Sequence, residues 1–306
     1  MSNKGVYDVI SERMKNYEND QGPLLDDTKP FMMRLDGHKF STFASPFRKP
    51  FDDLLHNVMV ATANDLLTHY HCTTAYTQSD EITLVFPALN NKDAKEGEEN
   101  IVRTPLHSGR VLKLCTLASG YCTARFNFHC LRLADSWPSE AQKLVGASKG
   151  SNFNYERIQS NLRGGVAYFD ARAFNVESEQ DLLDNVMWRS KFDCRRNSMN
   201  NLGRMYFSSK QMNGVKNREL NEMLLQKNVN FNDWPLSFRY GTFIKKELTE
   251  RVGTNPITGK SETVQRAVVK CYALEPRNEK EYLDMLLYKY WNQVDPKVTQ
   301  TKQVVE

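Results

Sequence analysis

The stretch Thr73–Phe86, TTAYTQSDEITLVF, decides how the rest of the chain reads. β-formers and apolar residues flank a polar corner, Gln78-Ser79-Asp80-Glu81, so the period-two pattern gives two strands turning through a pair of carboxylates. On its N-terminal side, Phe31-Met32-Met33-Arg34-Leu35 is another β-like run, ending on Asp36 and followed by Gly37. Between the two acidic spots Leu55, Val58, Met59, Ala63, Leu66 and Leu67 recur at helical spacing, predicting an amphipathic helix that ends near Tyr70. Strand, acid, helix, then a hairpin with an acid at its corner is a layout able to hold divalent cations over a sheet. A hard ion such as Mg²⁺ takes oxygen ligands and keeps waters that exchange for phosphate.

Basic residues flank this frame. Arg48-Lys49-Pro50 runs into the helix start, with Asp52 and Asp53 where the helix dipole favours acids. His107 to Cys130 reads as a long helix carrying Arg110 and Lys113 three apart on one surface. Lys49, Arg110 and Lys113 are the candidates for the anion-binding half of a triphosphate site. Gly37, with no Cβ, lets backbone amides approach a ligand closely.

Elsewhere the signals are coarser. Residues 5–18 predict an amphipathic helix, 19–29 a linker and 87–100 a polar loop. Residues 135–164 show no period and read as a loop or insertion, after which Gly164–Arg172 gives a strand and an Arg/Asn-rich helical segment follows. Ser237–Ile244 and Thr263–Leu274 are β-rich and flank a turn at Thr254–Lys260, which predicts a hairpin. A helix over Glu279–Trp291 closes the chain, and the tail after Pro296 is expected to fray. Trp188 and Trp291 read as core, and Tyr168 and Phe169 as packed strand residues.

At 306 residues the chain accommodates one large domain or two closely joined ones, divided here into 1–135 and 136–306. Its net charge of +4 permits a polyanionic partner without requiring one. Six cysteines with no CxxC pair argue against a zinc site or a disulfide framework and for reduced, buried thiols. No apolar run reaches the length of a membrane span and the N-terminus lacks a signal-like apolar region, so the expectation is a cytoplasmic protein with no membrane partner. No Ser/His/Asp or Cys/His nucleophile order is visible.

The segments ISERMKNYEND, MRLDGHKFSTF, RKPFD, AYTQSDEITLVF, GRVLKLCTLAS, YFDAR, WRSKFDCRRNSMN and FRYGTF resemble, in that order, the motif series of the tRNA-histidine guanylyltransferase superfamily. These are the 3′-to-5′ polymerases. The resemblance implies an α+β fold with a polymerase-palm-like βαββαβ (ferredoxin-like) catalytic core and an appended C-terminal α/β region. It also implies two Mg²⁺ ions, GTP, ATP and other NTPs as ligands, tRNA as partner, and a homo-oligomer, a tetramer. By the same resemblance Asp36, the Gly37 carbonyl and Asp80 coordinate the metals with Glu81 in support. Lys49, Arg110 and Lys113 contact the triphosphate, the backbone of Gly37, His38, Lys39 and Phe40 wraps the phosphates, and Asp52 lies near the base.

Where members acting on tRNA-histidine carry HINNLYN after Asp-Cys, this chain has Arg195-Arg196-Asn197-Ser198-Met199-Asn200-Asn201. One extra residue separates Trp188 from Asp193, and Ser41 stands where a histidine often follows the DG motif. These departures resemble the repair branch, with Arg195, Asn197 and Ser198 facing RNA or a second nucleotide. The expected activity is therefore Mg²⁺-dependent, templated 3′-to-5′ addition of nucleotides to 5′-truncated tRNA. Addition of G−1 to tRNA-histidine is the alternative. Nucleotide cyclisation on the same scaffold and a non-enzymatic RNA-binding derivative stand further off.

Overall fold

The computed structural model describes residues 10–15, 22–89, 105–145, 154–254, 257, 259–275, 277, 280–291 and 303–304, with backbone only at 138–145 and 303–304. The hairpin read from Thr73–Phe86 is present as β2 (Thr74–Gln78) and β3 (Glu81–Phe86), with Ser79 taking a positive φ of 51° at the corner. β3 pairs antiparallel with β1 (Phe31–Gly37), which pairs antiparallel with β4 (Phe169–Asn175). On the other side β2 pairs with β5 (Thr242–Thr254), and β5 forms a hairpin with β6 (Ser261–Ala273). A short β7 (Gln303–Val304) joins β6, giving the sheet order β4-β1-β3-β2-β5-β6-β7 among the described residues. The sheet thus draws strands from both halves of the chain. Residue 135 lies inside the helix Val111–Val145.

Alternation along each strand sorts side chains to two faces. Phe31, Met33 and Leu35 of β1, with Ile82, Leu84 and Phe169, pack against the helices Asp53–Tyr70 and Val111–Val145 in the larger core. Met32 and Val85 face the opposite way, onto Leu182, Leu183 and Val186 of the helix Glu179–Met187 and onto the helix Lys280–Leu287. Lys245, wholly buried on this second face, fastens the last helix. Its ammonium donates to the carbonyls of Met285 (2.6 Å), Tyr288 (2.6 Å) and Thr73 (2.8 Å) and to Thr74 Oγ1 (2.9 Å). Burial pulls its pKa down to about 7. A third cluster, around Met199, Leu202, Phe231 and Phe238, gathers the helix Arg195–Gly203 and its neighbours.

Several expectations need correction. The long helix begins at Val111 rather than His107, because His107, Ser108 and Gly109 take left-handed φ values of 51°, 54° and 70°. It runs on through Pro138 to Val145, and a separate helix covers Tyr155–Arg163, where a loop was expected. Trp137-Pro138 looked like a stop, yet Trp137 is a buried core residue that anchors the helix there. The strand expected at Gly164–Arg172 is displaced to Phe169–Asn175. Ser237–Tyr240 is helical within Leu236–Tyr240, and Gly241, at φ 81°, switches the chain into β5. Of the N-terminal helix, residues 10–15 are helical and the remainder lies outside the described residues, as does most of the 87–100 loop. The tail expected to fray likewise lies outside them, except for Gln303–Val304, which adds to the sheet.

Candidate active site

Strand register builds the site. Asp36 stands opposite Glu81 on β3 and opposite Asp170 on β4, so three carboxylates form one row across adjacent strands on the second face. Asp80 sits in the corner beside this row, where its carbonyl accepts a 3.0 Å hydrogen bond from Gly37 N. One pleat further along lies a second row containing Arg172 and Arg34. Arg34 Nη2 reaches back to Asp36 Oδ2 at 2.9 Å and Glu81 Oε1 at 2.6 Å. From the crossing segment above, Arg189 Nη1 approaches Glu81 Oε2 at 3.4 Å and Asp193 Oδ2 at 3.1 Å.

Like charges directly opposite on neighbouring strands repel, so the row needs compensation. Asp36 and Glu81 share Arg34, and Glu81 also meets Arg189, whereas Asp80 and Asp170 make no ion pair with either guanidinium. The electrostatics register this. Burial, together with the charge of Asp36, pushes the Asp80 pKa up to about 6. Burial also raises Glu81, with Arg34 and Arg189 pulling against it. Glu81 Oε2 is buried and accepts no hydrogen bond. Such an all-oxygen set fits a hard divalent cation. Among the described residues no group of three or more His, Cys, Asp or Glu side chains is gathered so as to hold a metal ion by itself.

The other expected site residues divide by position. Gly37 is required by close packing, since a Cβ there would meet Phe40 Cδ2 at 2.3 Å. In the stretch expected to wrap phosphates, the amides of Gly37 and His38 are already engaged, by the carbonyls of Asp80 and Tyr168. Lys39 takes φ 53° and leads into the short helix Phe40–Phe43, whose Phe40 is core. Asp52 is the buried N-cap of Asp53–Tyr70, its oxygens taken by Leu55 N and Arg48 N at 3.0 Å each. Lys49 donates to the Ala44 carbonyl at 2.8 Å, and partial burial lowers its pKa. His56, on the first turn of that helix, bonds Thr242 Oγ1 at 3.0 Å, and Thr242 pairs with Thr77. Lys49 and Asp52 therefore lie toward the acidic end of the sheet.

Arg110 and Lys113 do not. Ser119 bonds the Phe169 carbonyl, Cys115 reaches the Ala173 backbone and Val111 N bonds the Pro23 carbonyl, so the helix start lies beside the Phe31–Asn175 end. Asp36 is five residues further along β1, roughly 16 Å at strand rise. Arg195 is half-buried, its Nη1 donating to Tyr240 Oη at 2.6 Å. Ser198 is turned inward, with its hydroxyl returned to the Arg195 carbonyl at 3.1 Å, whereas Asn197 is partly exposed.

Arg34, Arg189 and Asp170 were not singled out from the sequence. Spacing carried the signal for two of them, since i and i+2 share a strand face and Arg34 therefore had to sit beside Asp36, as Arg172 beside Asp170. Trp188 and Tyr168, expected to be packed, are each 51% exposed, while Trp291 and Phe169 are buried as expected. Residues Trp188–Cys194 form a π-helical turn. With i→i+5 bonding a π turn takes up more residues than an α turn, which accommodates the extra residue between Trp188 and Asp193.

A sheet carrying an acidic row under crossing helices defines a mixed α/β protein, and the comparisons agree. The family model "Thg1: tRNAHis guanylyltransferase" matches residues 11–177. An uncharacterised protein of Acanthamoeba polyphaga mimivirus, R259, is 32% identical over 259 residues, covering 83% of each chain. Among solved structures, a bacterial tRNA(His) guanylyltransferase (Thg1)-like protein in complex with ATP superposes with a TM-score of 0.59 at 24% identity, over 77% of this chain and 87% of that one. The tRNA(His) guanylyltransferase of Saccharomyces cerevisiae gives 0.53 at 21% identity, over 74% and 90%. The chain belongs to the tRNAHis guanylyltransferase (Thg1) family. Among the described residues no helix is long and apolar enough to cross a membrane.

Proposed function

We propose that this protein adds nucleotides in the 3′-to-5′ direction to the 5′ end of tRNA, and that its substrates are 5′-truncated tRNAs. The observation that carries this is the acidic row at the end of β1 and the β2–β3 corner in a member of this family. Element order β-α-β-β-α-β and strand order β4-β1-β3-β2 support reading the core as ferredoxin-like, the arrangement of a polymerase palm. Solved relatives described as complexes with ATP and with GTP support a nucleotide ligand.

In this reading Asp36 and Asp80, with the Gly37 carbonyl, would hold Mg²⁺, which would supply charge neutralisation at the reacting phosphate and a lowered pKa for the attacking hydroxyl. Glu81, fixed between Arg34 and Arg189, keeps the row rigid. The 3′-hydroxyl of the incoming nucleotide forms a new bond to the 5′ phosphorus of the RNA. The bond to pyrophosphate, or to AMP for an adenylated end, breaks, and the hydroxyl proton leaves to solvent. Lys49 lies toward the same end of the sheet and meets the leaving phosphates. Arg110 and Lys113, at the far end, would serve the acidic row of a second copy in an oligomer.

Arginine at 195 in place of the motif's histidine, and its engagement with Tyr240, favour the repair substrate over G−1 addition. An extension assay comparing full-length tRNA-histidine with a set of 5′-truncated tRNAs tests the choice. Equal or better use of the truncated set is expected, and exclusive single-G addition to tRNA-histidine would overturn it.

A further inference from the structure

The π-helical turn Trp188–Cys194 presents large aromatic surface to solvent beside the acidic row. Trp188 is 51% and Phe192 67% exposed, whereas Trp137 and Trp291 are fully buried. Trp188 and Phe192 stand four residues apart, so both emerge on one side of the turn. Residues 188–196, WRSKFDCRR, hold four basic side chains against one acid, and three of these cations are ion-paired: Arg189 with Glu81 and Asp193, Lys191 with Glu275, and Arg196 with Asp193. The guanidinium of Arg189 lies 4.2 Å from the centre of the Trp188 ring, backing the indole on one side. That same guanidinium pairs with Glu81 and Asp193, so the indole is positioned relative to the acidic row. Arg196, its side chain 59% exposed, bonds Asp193 at 2.6 Å and completes the edge.

We propose that Trp188 and Phe192 form a stacking surface for unpaired nucleobases of an RNA strand, with Arg196 meeting its phosphates. The inference rests on the RNA-directed activity proposed above and locates where the strand runs. Every base offers a π face, so stacking on an aromatic ledge holds single-stranded RNA without reading its sequence, while neighbouring cations follow the backbone. Position favours this occupant: through Arg189 the ledge is tied to Glu81, beside the carboxylates at which the RNA 5′ end reacts in the proposed activity. Arg189 acts as a positioning residue, holding the indole at a fixed place beside the carboxylates.

The test uses the full chain and two labelled RNAs, a hairpin with an unpaired 3′ overhang and the same hairpin made blunt, read by fluorescence anisotropy without nucleotide. Wild type is expected to prefer the overhang, and Trp188→Ala/Phe192→Ala to bind it at least tenfold more weakly with unchanged thermal unfolding and GTP binding. Trp188→Tyr should keep most of the affinity. Intrinsic tryptophan fluorescence should be quenched by the overhang RNA in wild type and much less so in Trp188→Phe. Unchanged affinity of the double variant, or undiminished quenching in Trp188→Phe, overturns the inference and leaves the proposed activity standing. A change of oligomeric state with RNA affinity intact reassigns the surface to a protein contact. Failure of wild type to bind either RNA sinks the proposed activity as well.

Discussion

Two regions meet at the contact between Glu81 and Arg189, and they obey different rules. The acidic row is made by strand pairing, where register places every second side chain on a set face and its cross-strand neighbours follow. The crossing segment Trp188–Cys194 is made by a departure from regular helix, and its side-chain directions follow from the π turn and from ion pairs to the sheet. The first region is stiff because its neighbours are covalently close or in register. The second is held mainly by long-range contacts, among them Arg189 to Glu81 and Ser190 Oγ to the Tyr240 carbonyl at 2.7 Å.

Substitutions should separate the two. Asp36→Ala or Asp80→Ala is expected to lower nucleotide addition by about a thousandfold or more, on the scale of losing a transition-state charge stabiliser. For Asp80 the fold should be unaffected, because its link to Gly37 is made by the backbone carbonyl. Normal turnover with a 5′-truncated tRNA would remove the metal-holding role of these residues.

Within the charge network the sheet side should matter more than the helix side. Arg34→Met leaves two carboxylates of the row without their closest cation, and urea unfolding should show a loss of about 3–5 kcal/mol. Arg189→Met leaves Glu81 paired with Arg34 and Asp193 paired with Arg196, so a smaller loss, about 1–2 kcal/mol, is expected. Equal losses would mean that the two regions fold as one electrostatic unit.

A further effect shows only in acid. Burial lowers the pKa of His56 to about 4 from its ordinary 6.5. The unfolded chain therefore binds the extra proton first, and the contribution is intact above pH 6.5 and lost as pH falls toward 4. It amounts to about 3 kcal/mol. His56→Gln can keep a hydrogen bond to Thr242 without titrating, and its urea midpoint should change less than that of wild type between pH 7 and 4.5. An identical decline in both proteins would place the acid sensitivity in groups other than His56; the raised pKa values of Asp80 and Glu81 act with the opposite sign.

The β2–β3 hairpin, β1 ending at Asp36-Gly37 and the helix Asp53–Tyr70 were all legible, because each is set by a short-range period and a turn. The boundaries that failed share a cause. Trp137-Pro138 and Ser237–Ile244 carry local signals that tertiary packing overrides, through the burial of Trp137 in one case and the positive φ of Gly241 in the other. The carboxylates of the site were legible as residues but not as a row, since Asp170 joins only through the pairing of β4 with β1.

By itself the sequence determined the acids, their strands and the family. It could do so because alternation, turn chemistry and motif order are properties of neighbouring residues. Only the tertiary structure decided which charges compensate which, that Arg110 and Lys113 lie at the opposite end of the sheet, and that Trp188 faces solvent. Those outcomes depend on strand order and on how helices cross the sheet, and residues far apart in the chain settle both.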